Sequence, residues 1–299
     1  MSAPVAAAPQ PAQESLALAI ACMVTAQIVF TAMDTMVKLL SDDFGAAQIV
    51  WGFFAAFAVT TTVDAARNGT LRSVLRTRRP VLHVTRALLL PVNMAAMVLA
   101  LNLLPIATVT TVVCTFPLIV TALSVPILGE HVGPRRWTAV GIGFVGVLIV
   151  VRPGTDVFDP AAFVALFAGA VYALYLVLTR LLSRTDRNDG IALTTAWIGL
   201  AVFSIALPFD WRTPTLEQGV LLVLVAAVGT IGHSLIIVAF SRAPASTLQP
   251  FTYLQVVWAT IAGLVVFGHL PDEITLAGAA VIVASGLYAW WRERQVKAS

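Results

Sequence analysis

The sequence predicts an all-α integral membrane protein whose ten transmembrane helices form two inverted five-helix repeats. Apolar residues make up 59% of its 299 residues and charged residues only 11%, whereas soluble domains carry roughly 25% charged residues. The apolar residues fall into ten segments, each close to the length of about 20 residues that crosses a bilayer. Five segments lie in each half, and an odd number requires two related halves to insert in opposite orientations.

The ten predicted spans are separated by short connections that contain turn-forming residues. Helices are expected throughout because a bilayer offers no hydrogen bonds to unpaired backbone groups, and no segment has the alternating pattern of a barrel strand. Numbered 1 to 10 in chain order, the spans cover residues 16–40, 46–66, 81–101, 106–128, 134–151, 160–182, 190–209, 217–240, 245–268 and 273–291.

These spans divide the chain into four parts. Residues 1–15 are predicted to be a disordered cytoplasmic tail, because they are rich in Ala and Pro and lack the positive charge that opens a secretory signal. Residues 16–151 would form the first five-helix repeat and residues 152–292 the second. Residues 293–299 would form a second cytoplasmic tail.

The distribution of Lys and Arg predicts the orientation in the membrane. With the N-terminus inside, fourteen of the eighteen Lys and Arg residues fall on the cytoplasmic side, and only Arg152 and Arg212 fall on the outer side. Lys38 and Arg86 lie at or within span ends and belong to neither group. Because positive residues are retained in cytoplasmic loops, both termini are expected to be cytoplasmic, in a multi-pass protein of the cell inner membrane.

A constant offset relates the two halves. A shift of 139 residues aligns Pro105 with Pro244, Thr108 with Thr247, Thr121 with Thr260 and Gly129 with Gly268. Near the start of each half, residues 38–41 also resemble residues 180–183. Inverted repeats of this kind place a substrate site near the bilayer midplane, between the halves.

Asp34 is the carboxylate that lies well inside a predicted span, where an ionised group costs roughly 2.5–3.5 kcal/mol. Lys38 follows four residues later on the same helix face, close enough to form an ion pair. Two interpretations are open. Either Lys38 reaches the outer interface and Asp34 only hydrogen-bonds it, or the pair binds a substrate or a proton. The second is favoured because Lys38 is an isolated cation on a side that otherwise avoids cations.

Spans 3 and 6 supply further polar candidates. His83 and Arg86 lie near the inner end of span 3 and are expected at the interface, whereas Asn93 lies deeper and is a candidate to line a cavity. Tyr172 and Tyr175 are three residues apart and therefore share one side of span 6. They would be either interfacial aromatics or cavity walls, and the cavity is favoured for Tyr172.

Span 9 is the most polar of the ten. Gln249, Tyr253 and, less closely, Trp258 share one face, and three such groups facing lipid would be unfavourable. They are expected to line the cavity. His233 in span 8 is expected to pack against a neighbouring helix, and so are the small residues of spans 5 and 10.

An enzyme is not expected. A serine mechanism needs a nucleophile and a base within hydrogen-bonding reach, and the adjacent Ser234 and His233 diverge by about 100° around a helix. An aspartyl mechanism needs two carboxylates, and the predicted spans contain only one well inside them. No His, Cys or Asp cluster has the spacing of metal ligands. No catalytic residue, cofactor, metal or nucleic-acid partner is therefore expected. The expected partners are a small-molecule substrate and the lipid bilayer.

Five motifs together resemble a known family of membrane proteins. They are Phe116-Pro117-Leu118 with Gly129-Glu130, the glycines Gly141, Gly143 and Gly146, Arg180 closing span 6, Ala243-Pro244-Ala245-Ser246, and Gly268-His269-Leu270-Pro271. The chain resembles the drug/metabolite transporter superfamily, EamA type, over about residues 16–292. Two positions depart from the family pattern: His269 stands where a glutamate is usual, and Trp51 begins a segment where many relatives have an arginine.

The resemblance implies a secondary transporter that moves a small organic metabolite by alternating access, coupled to protons or by exchange. It implies a central cavity lined by spans 1, 3, 4, 6, 8 and 9, with spans 5 and 10 peripheral and available for a homodimer. The most similar branch carries S-adenosylmethionine, riboflavin and amino-acid-like metabolites. A passive channel or a structural membrane protein is the alternative.

Overall fold

The computed structural model describes residues 13–67, 69, 77, 79–129, 132–153, 155, 159–183, 185–186, 188–243 and 245–298. Throughout these residues the secondary structure is helical, without a strand. The first helix begins at Gln13, so residues 1–12 of the predicted N-terminal tail lie outside the described residues. The last helix continues to Ala298 and includes most of the segment predicted as the C-terminal tail.

Ten helical segments coincide with the ten predicted spans. They are α1 (Gln13–Ser41), α2 (Ala46–Arg67), α3 (Pro80–Leu103), α4a (Ile106–Val113) with α4b (Phe116–Leu128), α5 (Pro134–Val151), α6 (Ala162–Leu182), α7 (Asn188–Asp210), α8 (Leu216–Arg242), α9a (Ala245–Thr252) with α9b (Leu254–Phe267), and α10 (Glu273–Ala298). Within the described chain, nine of the segments are long and apolar enough to cross a membrane, and α5 contributes a shorter apolar helix. The protein is therefore a multi-pass membrane protein.

The fourth and ninth segments are interrupted, whereas the sequence predicted continuous spans. Helix α4a ends at Val113 and α4b begins at Phe116. Pro117 has no N–H to donate to the Val113 carbonyl, which weakens the helix at this point. In the ninth segment α9a ends at Thr252 and α9b begins at Leu254.

The two interrupted helices match each other along the sequence. An offset of 139 residues, at which the two halves align, separates three pairs of boundaries. It separates the starts of α4a and α9a, the ends of α4a and α9a, and the ends of α4b and α9b. Each ends on a glycine in the left-handed region, Gly129 at φ 69° and Gly268 at φ 67°. Glycine adopts this conformation without the steric cost of a Cβ atom, and so terminates both helices in the same way.

Packing between the helices follows the same relation. Helix α1 packs against α8 and α3 against α6, while α2 packs against α7 and α5 against α10. This pattern is unchanged when each helix is exchanged for the one five segments away. The start of α4a lies beside the end of α9b, because the Lys38 ammonium is 2.8 Å from the Leu104 carbonyl and 5.7 Å from the centre of the Phe267 ring.

Helices α5 and α10 approach each other closely through glycines. A Cβ atom on Gly278 would lie 2.9 Å from the Gly146 carbonyl oxygen, and one on Gly146 would lie 2.8 Å from the Ile282 side chain. Small residues allow this contact, as is common between membrane helices. Since these glycine faces meet within the chain, a homodimer through α5 and α10 would have to use their other faces.

Polar contacts join the two halves at one end of the bundle. Arg152, after α5, bonds Asp272 at 2.5 Å, ahead of α10. The hydrogen bond from Arg152, together with those from Thr275, holds the pKa of the Asp272 carboxyl well below its usual range. The Arg212 guanidinium donates a hydrogen bond of 2.7 Å to the Asp43 carbonyl. Of the two cations that the sequence assigned to the outer side, Arg212 thus binds a residue of the first half, and Arg152, at the boundary of the halves, ties the end of α5 to the start of α10.

Candidate functional site

Asp34 lies buried where the two interrupted helices meet. It is 4% exposed, and its carboxylate accepts a hydrogen bond of 3.2 Å from the amide of Gln255, the second residue of α9b. Helix α1, which carries Asp34, also packs against α4a, and α4a packs against α9b. The sequence analysis did not select Gln255. A buried carboxylate needs hydrogen-bond donors, and that requirement was the available signal for an amide nearby.

Lys38 does not pair with Asp34, so the predicted ion pair is wrong. The ammonium instead donates to the carbonyls of Leu101 at 2.6 Å and Leu104 at 2.8 Å, at the end of α3. The residue four positions after Leu101 is Pro105, which has no N–H, and the Leu101 carbonyl therefore lacks a helical partner. Lys38 satisfies this carbonyl and holds the end of α3 against α1.

Arg86 is buried among α3, α6 and α7, and its predicted position near the inner interface stays a prediction. It is 2% exposed, and its guanidinium bonds Thr179 at 2.7 Å, Tyr175 at 2.6 Å and Thr195 at 2.5 Å. His83 is also buried, at 3% exposed. The acceptors come from α6 and α7, whose proximity to α3 cannot be read from a linear sequence.

An aromatic series leads from Arg86 to the interruption of α4. The guanidinium lies 4.4 Å from the centre of the Tyr175 ring, which stacks on Tyr172 at 6.0 Å. Tyr172 in turn meets Phe116, the first residue of α4b, edge to face at 5.1 Å. The prediction that Tyr172 and Tyr175 share one side of their helix is confirmed. Asn93 lies nearby in α3 and donates to the Ala168 carbonyl of α6 at 2.9 Å.

Helix assignment is interrupted in span 9 at Tyr253, whose backbone stays in the right-handed region at φ -69° and ψ -15°, and the shared polar face of this span stays a prediction. The Tyr253 hydroxyl lies against Gly286 of α10, where an added Cβ atom would clash with it. Its oxygen and the Trp258 indole nitrogen are buried and have no hydrogen-bond partner among the described residues. The side chain of Gln249 lies outside the described residues. A contact between these residues and a substrate stays a prediction.

His233 fills an aromatic pocket between α8, α1 and α2. Its ring centre lies 5.3 Å from that of Phe30, 5.8 Å from that of Phe53 and 5.9 Å from that of Phe57. The packing role predicted for this residue is confirmed.

An open apolar groove of about 620 Å³ lies elsewhere, at the start of α8, between residues 214 and 224. It contains none of the polar candidates. The arrangement that could recognise a polar solute is therefore the interior between α1, α3, α4, α6 and α9.

The fold and its polar interior define a membrane protein built to pass or bind a solute, and comparison with known proteins identifies the family. The EamA-like transporter family matches the chain twice, over residues 15–152 and 159–290. The chain belongs to this family. It is a membrane transporter and not an enzyme.

Several relatives cover nearly the whole chain. An S-adenosylmethionine uptake transporter from Rickettsia bellii is 27% identical over 265 residues, covering 89% of this chain and 90% of that protein. A riboflavin transporter from Vibrio cholerae is 29% identical over 268 residues, covering 88% and 89%. One crystal structure of a protein, 19% identical, superposes with a TM-score of 0.63 over 95% of this chain and 98% of that chain, which supports the fold alone.

Proposed function

We propose that the protein is a secondary transporter that moves a small organic metabolite across the cell inner membrane by alternating access. The observation that carries this proposal is the meeting of two interrupted helices beside the buried carboxylate of Asp34. Interruptions within the membrane free backbone groups and are tolerated where they line a cavity. In secondary transporters they mark the substrate site near the midplane.

The two halves act as inverted repeats in this proposal. The double family match, the shared boundaries of α4 and α9, and the symmetric helix pairs support it. The adjacency of the start of α4a to the end of α9b also supports opposite directions for the two helices. Both termini are cytoplasmic in this arrangement, from the distribution of Lys and Arg.

Asp34 and the aromatic series of Phe116 and Tyr172 provide the substrate contacts. Asp34 is the acidic side chain of this interior among the described residues, so it attracts a cationic part of the substrate or takes up the coupling proton. The flat rings of Phe116 and Tyr172 suit a planar ring system. Relatives named for S-adenosylmethionine and riboflavin support this class, because both compounds contain a fused heteroaromatic ring. Roles for Lys38 and Asn93 at the substrate are secondary, since both already bond backbone carbonyls.

The test is uptake of radiolabelled S-adenosylmethionine and of riboflavin into proteoliposomes containing the purified protein. Saturable uptake of one compound, competed by its unlabelled form, is expected. Asp34→Asn removes the charge and keeps the shape, and it should abolish this uptake. Asp42→Asn is the matched control, because Asp42 is an exposed carboxylate just beyond the same helix. Its uptake should equal that of the wild type.

The outcomes separate the roles of Asp34. Loss of binding in Asp34→Asn assigns the carboxylate to the substrate. Retained counterflow exchange with loss of gradient-driven accumulation assigns it to proton coupling. Normal uptake with normal pH dependence refutes both roles. Flux that rises linearly with concentration, without competition, would favour the passive channel instead.

A further inference from the structure

Arg86 carries a positive charge into the interior of the helix bundle, where no acidic side chain among the described residues pairs with it. It lies six residues after Pro80, the first residue of α3, which is about 9 Å along the helix, and is 2% exposed. Buried charges are ordinarily paired with an opposite charge. The acidic residue at this end of the bundle, Asp186, instead lies 3.8 Å from His83 and accepts a hydrogen bond from Thr77.

In the part of the chain that the structure describes, the acceptors of the Arg86 guanidinium are all neutral groups. Nε donates to Thr179, one Nη to the Ile191 carbonyl at 3.1 Å and to Thr195, and the other Nη to Tyr175. These four hydrogen bonds use four of the five N–H groups that a guanidinium offers. The fifth N–H has no acceptor among the described residues. The site therefore lacks one negative charge and one acceptor.

A carboxylate supplies both. Carboxylates bind guanidinium groups through two parallel hydrogen bonds, in a geometry that lysine does not reproduce. The hydroxyls of Tyr175 and Thr195 now occupy the two Nη atoms, and hydroxyls can exchange for carboxylate oxygens. Tyr175 also begins the aromatic series that ends at Phe116, so the guanidinium adjoins the groups proposed to hold a planar ring.

We propose that Arg86 is an anion-recognition residue of the transport site and that the substrate carries a carboxylate. This inference rests on the proposed function and narrows its substrate class. The substrate joins a carboxylate, which binds Arg86, to a cationic part, which binds Asp34, and to a flat ring between them. A metabolite with an amino-acid group, such as S-adenosylmethionine, has this chemistry, whereas riboflavin is neutral.

The experiment compares binding of S-adenosylmethionine with binding of its decarboxylated form, to the full-length protein in detergent and in proteoliposomes. The two probes differ only in the carboxylate. The wild type should bind the decarboxylated probe about 10- to 100-fold more weakly, the range of charge-assisted hydrogen bonds. Arg86→Gln should bind the two probes equally, and Arg86→Lys should restore only part of the difference. Arg135 is an exposed arginine of the peripheral helix α5. The control variant Arg135→Gln should retain the full difference in affinity between the two probes.

Thermal unfolding without ligand separates recognition from a structural role. Arg86→Gln removes an uncompensated buried charge, so its melting temperature should equal or exceed that of the wild type. If this variant melts at a lower temperature or does not fold, the wild-type comparison of the two probes decides the question.

Three results would overturn the inference, each in a different way. Equal binding of the two probes by the wild type removes the carboxylate from recognition and leaves transport intact. Saturable riboflavin uptake that S-adenosylmethionine does not compete shows a neutral substrate class, again with transport intact. No saturable uptake of any of the three compounds refutes the proposed function itself, and the inference with it.

Discussion

Gly278→Ala should separate the two peripheral helices and destabilise the protein. The new Cβ atom would lie 2.5 Å from a methyl of Val150, 2.9 Å from the Gly146 carbonyl oxygen and 3.1 Å from the Val150 backbone nitrogen. The two backbone atoms cannot rotate away, so the helices must move apart. Overpacking of this kind costs about 1–3 kcal/mol, and the higher helix propensity of alanine returns about 1 kcal/mol. The net loss should be about 0–2 kcal/mol.

Gly141→Ala is the matched control for this substitution. Gly141 lies in the partner helix α5, where a Cβ atom would meet nothing within 4 Å. This variant should gain the helix propensity without the clash. The two variants should therefore differ by the full overpacking cost of about 1–3 kcal/mol, or about 2–12 °C in melting temperature at roughly 2–4 °C per kcal/mol. The measurement is thermal unfolding in detergent, followed by loss of the monodisperse species. Equal melting temperatures would refute the close crossing of α5 and α10.

Two further predictions concern the ends of the bundle. Asp272→Asn keeps a helix-capping side chain but removes the charge that Arg152 binds. Because the Asp272 side chain is 52% exposed, the loss in the free energy of unfolding at pH 7 should be small, about 0.2–1 kcal/mol. The pKa of Asp272 is lowered in the folded protein, so the stabilisation is present above the unfolded pKa of about 3.9 and lost as pH falls through the folded pKa. The melting temperatures of the wild type and Asp272→Asn should therefore differ at pH 7 and converge in acid. A difference that grows in acid would contradict this. Single cysteines at the exposed positions Thr213 and Ser183, in a cysteine-free variant, should report opposite sides: an impermeant maleimide should label only position 213 in intact cells, and labelling of position 183 alone would reverse the orientation.

The ten spans could be predicted because lipid imposes one requirement on every one of them. A segment must be apolar, long enough and fully hydrogen-bonded along its own backbone. The position of Tyr172 and Tyr175 on one side of α6 could be predicted equally well, since it depends only on the spacing of residues along one helix. The offset of 139 residues was visible from a few shared prolines, threonines and glycines.

The surroundings of the charged residues could not be predicted in the same way, because they depend on which helices are neighbours. Lys38 lies four residues from Asp34, yet it binds carbonyls of α3, which the sequence does not place beside α1. Pro105 was the available signal, since it leaves the Leu101 carbonyl without a donor. The burial of Arg86 depends in the same way on α6 and α7, which supply its acceptors Thr179 and Thr195.

The unequal division of α4 and α9 has a mechanical consequence. Each has a short arm of 8 residues before its interruption and a longer arm of 13 or 14 residues after it, or about 12 Å and about 20 Å. A rotation of about 10° at the interruption would move the tip of a long arm by about 3.5 Å and that of a short arm by about 2 Å. Because the start of α4a lies beside the end of α9b, each face of the membrane receives one long arm and one short arm. In the proposed alternating-access cycle, equal hinge rotations in the two halves would therefore move the two faces by equal amounts.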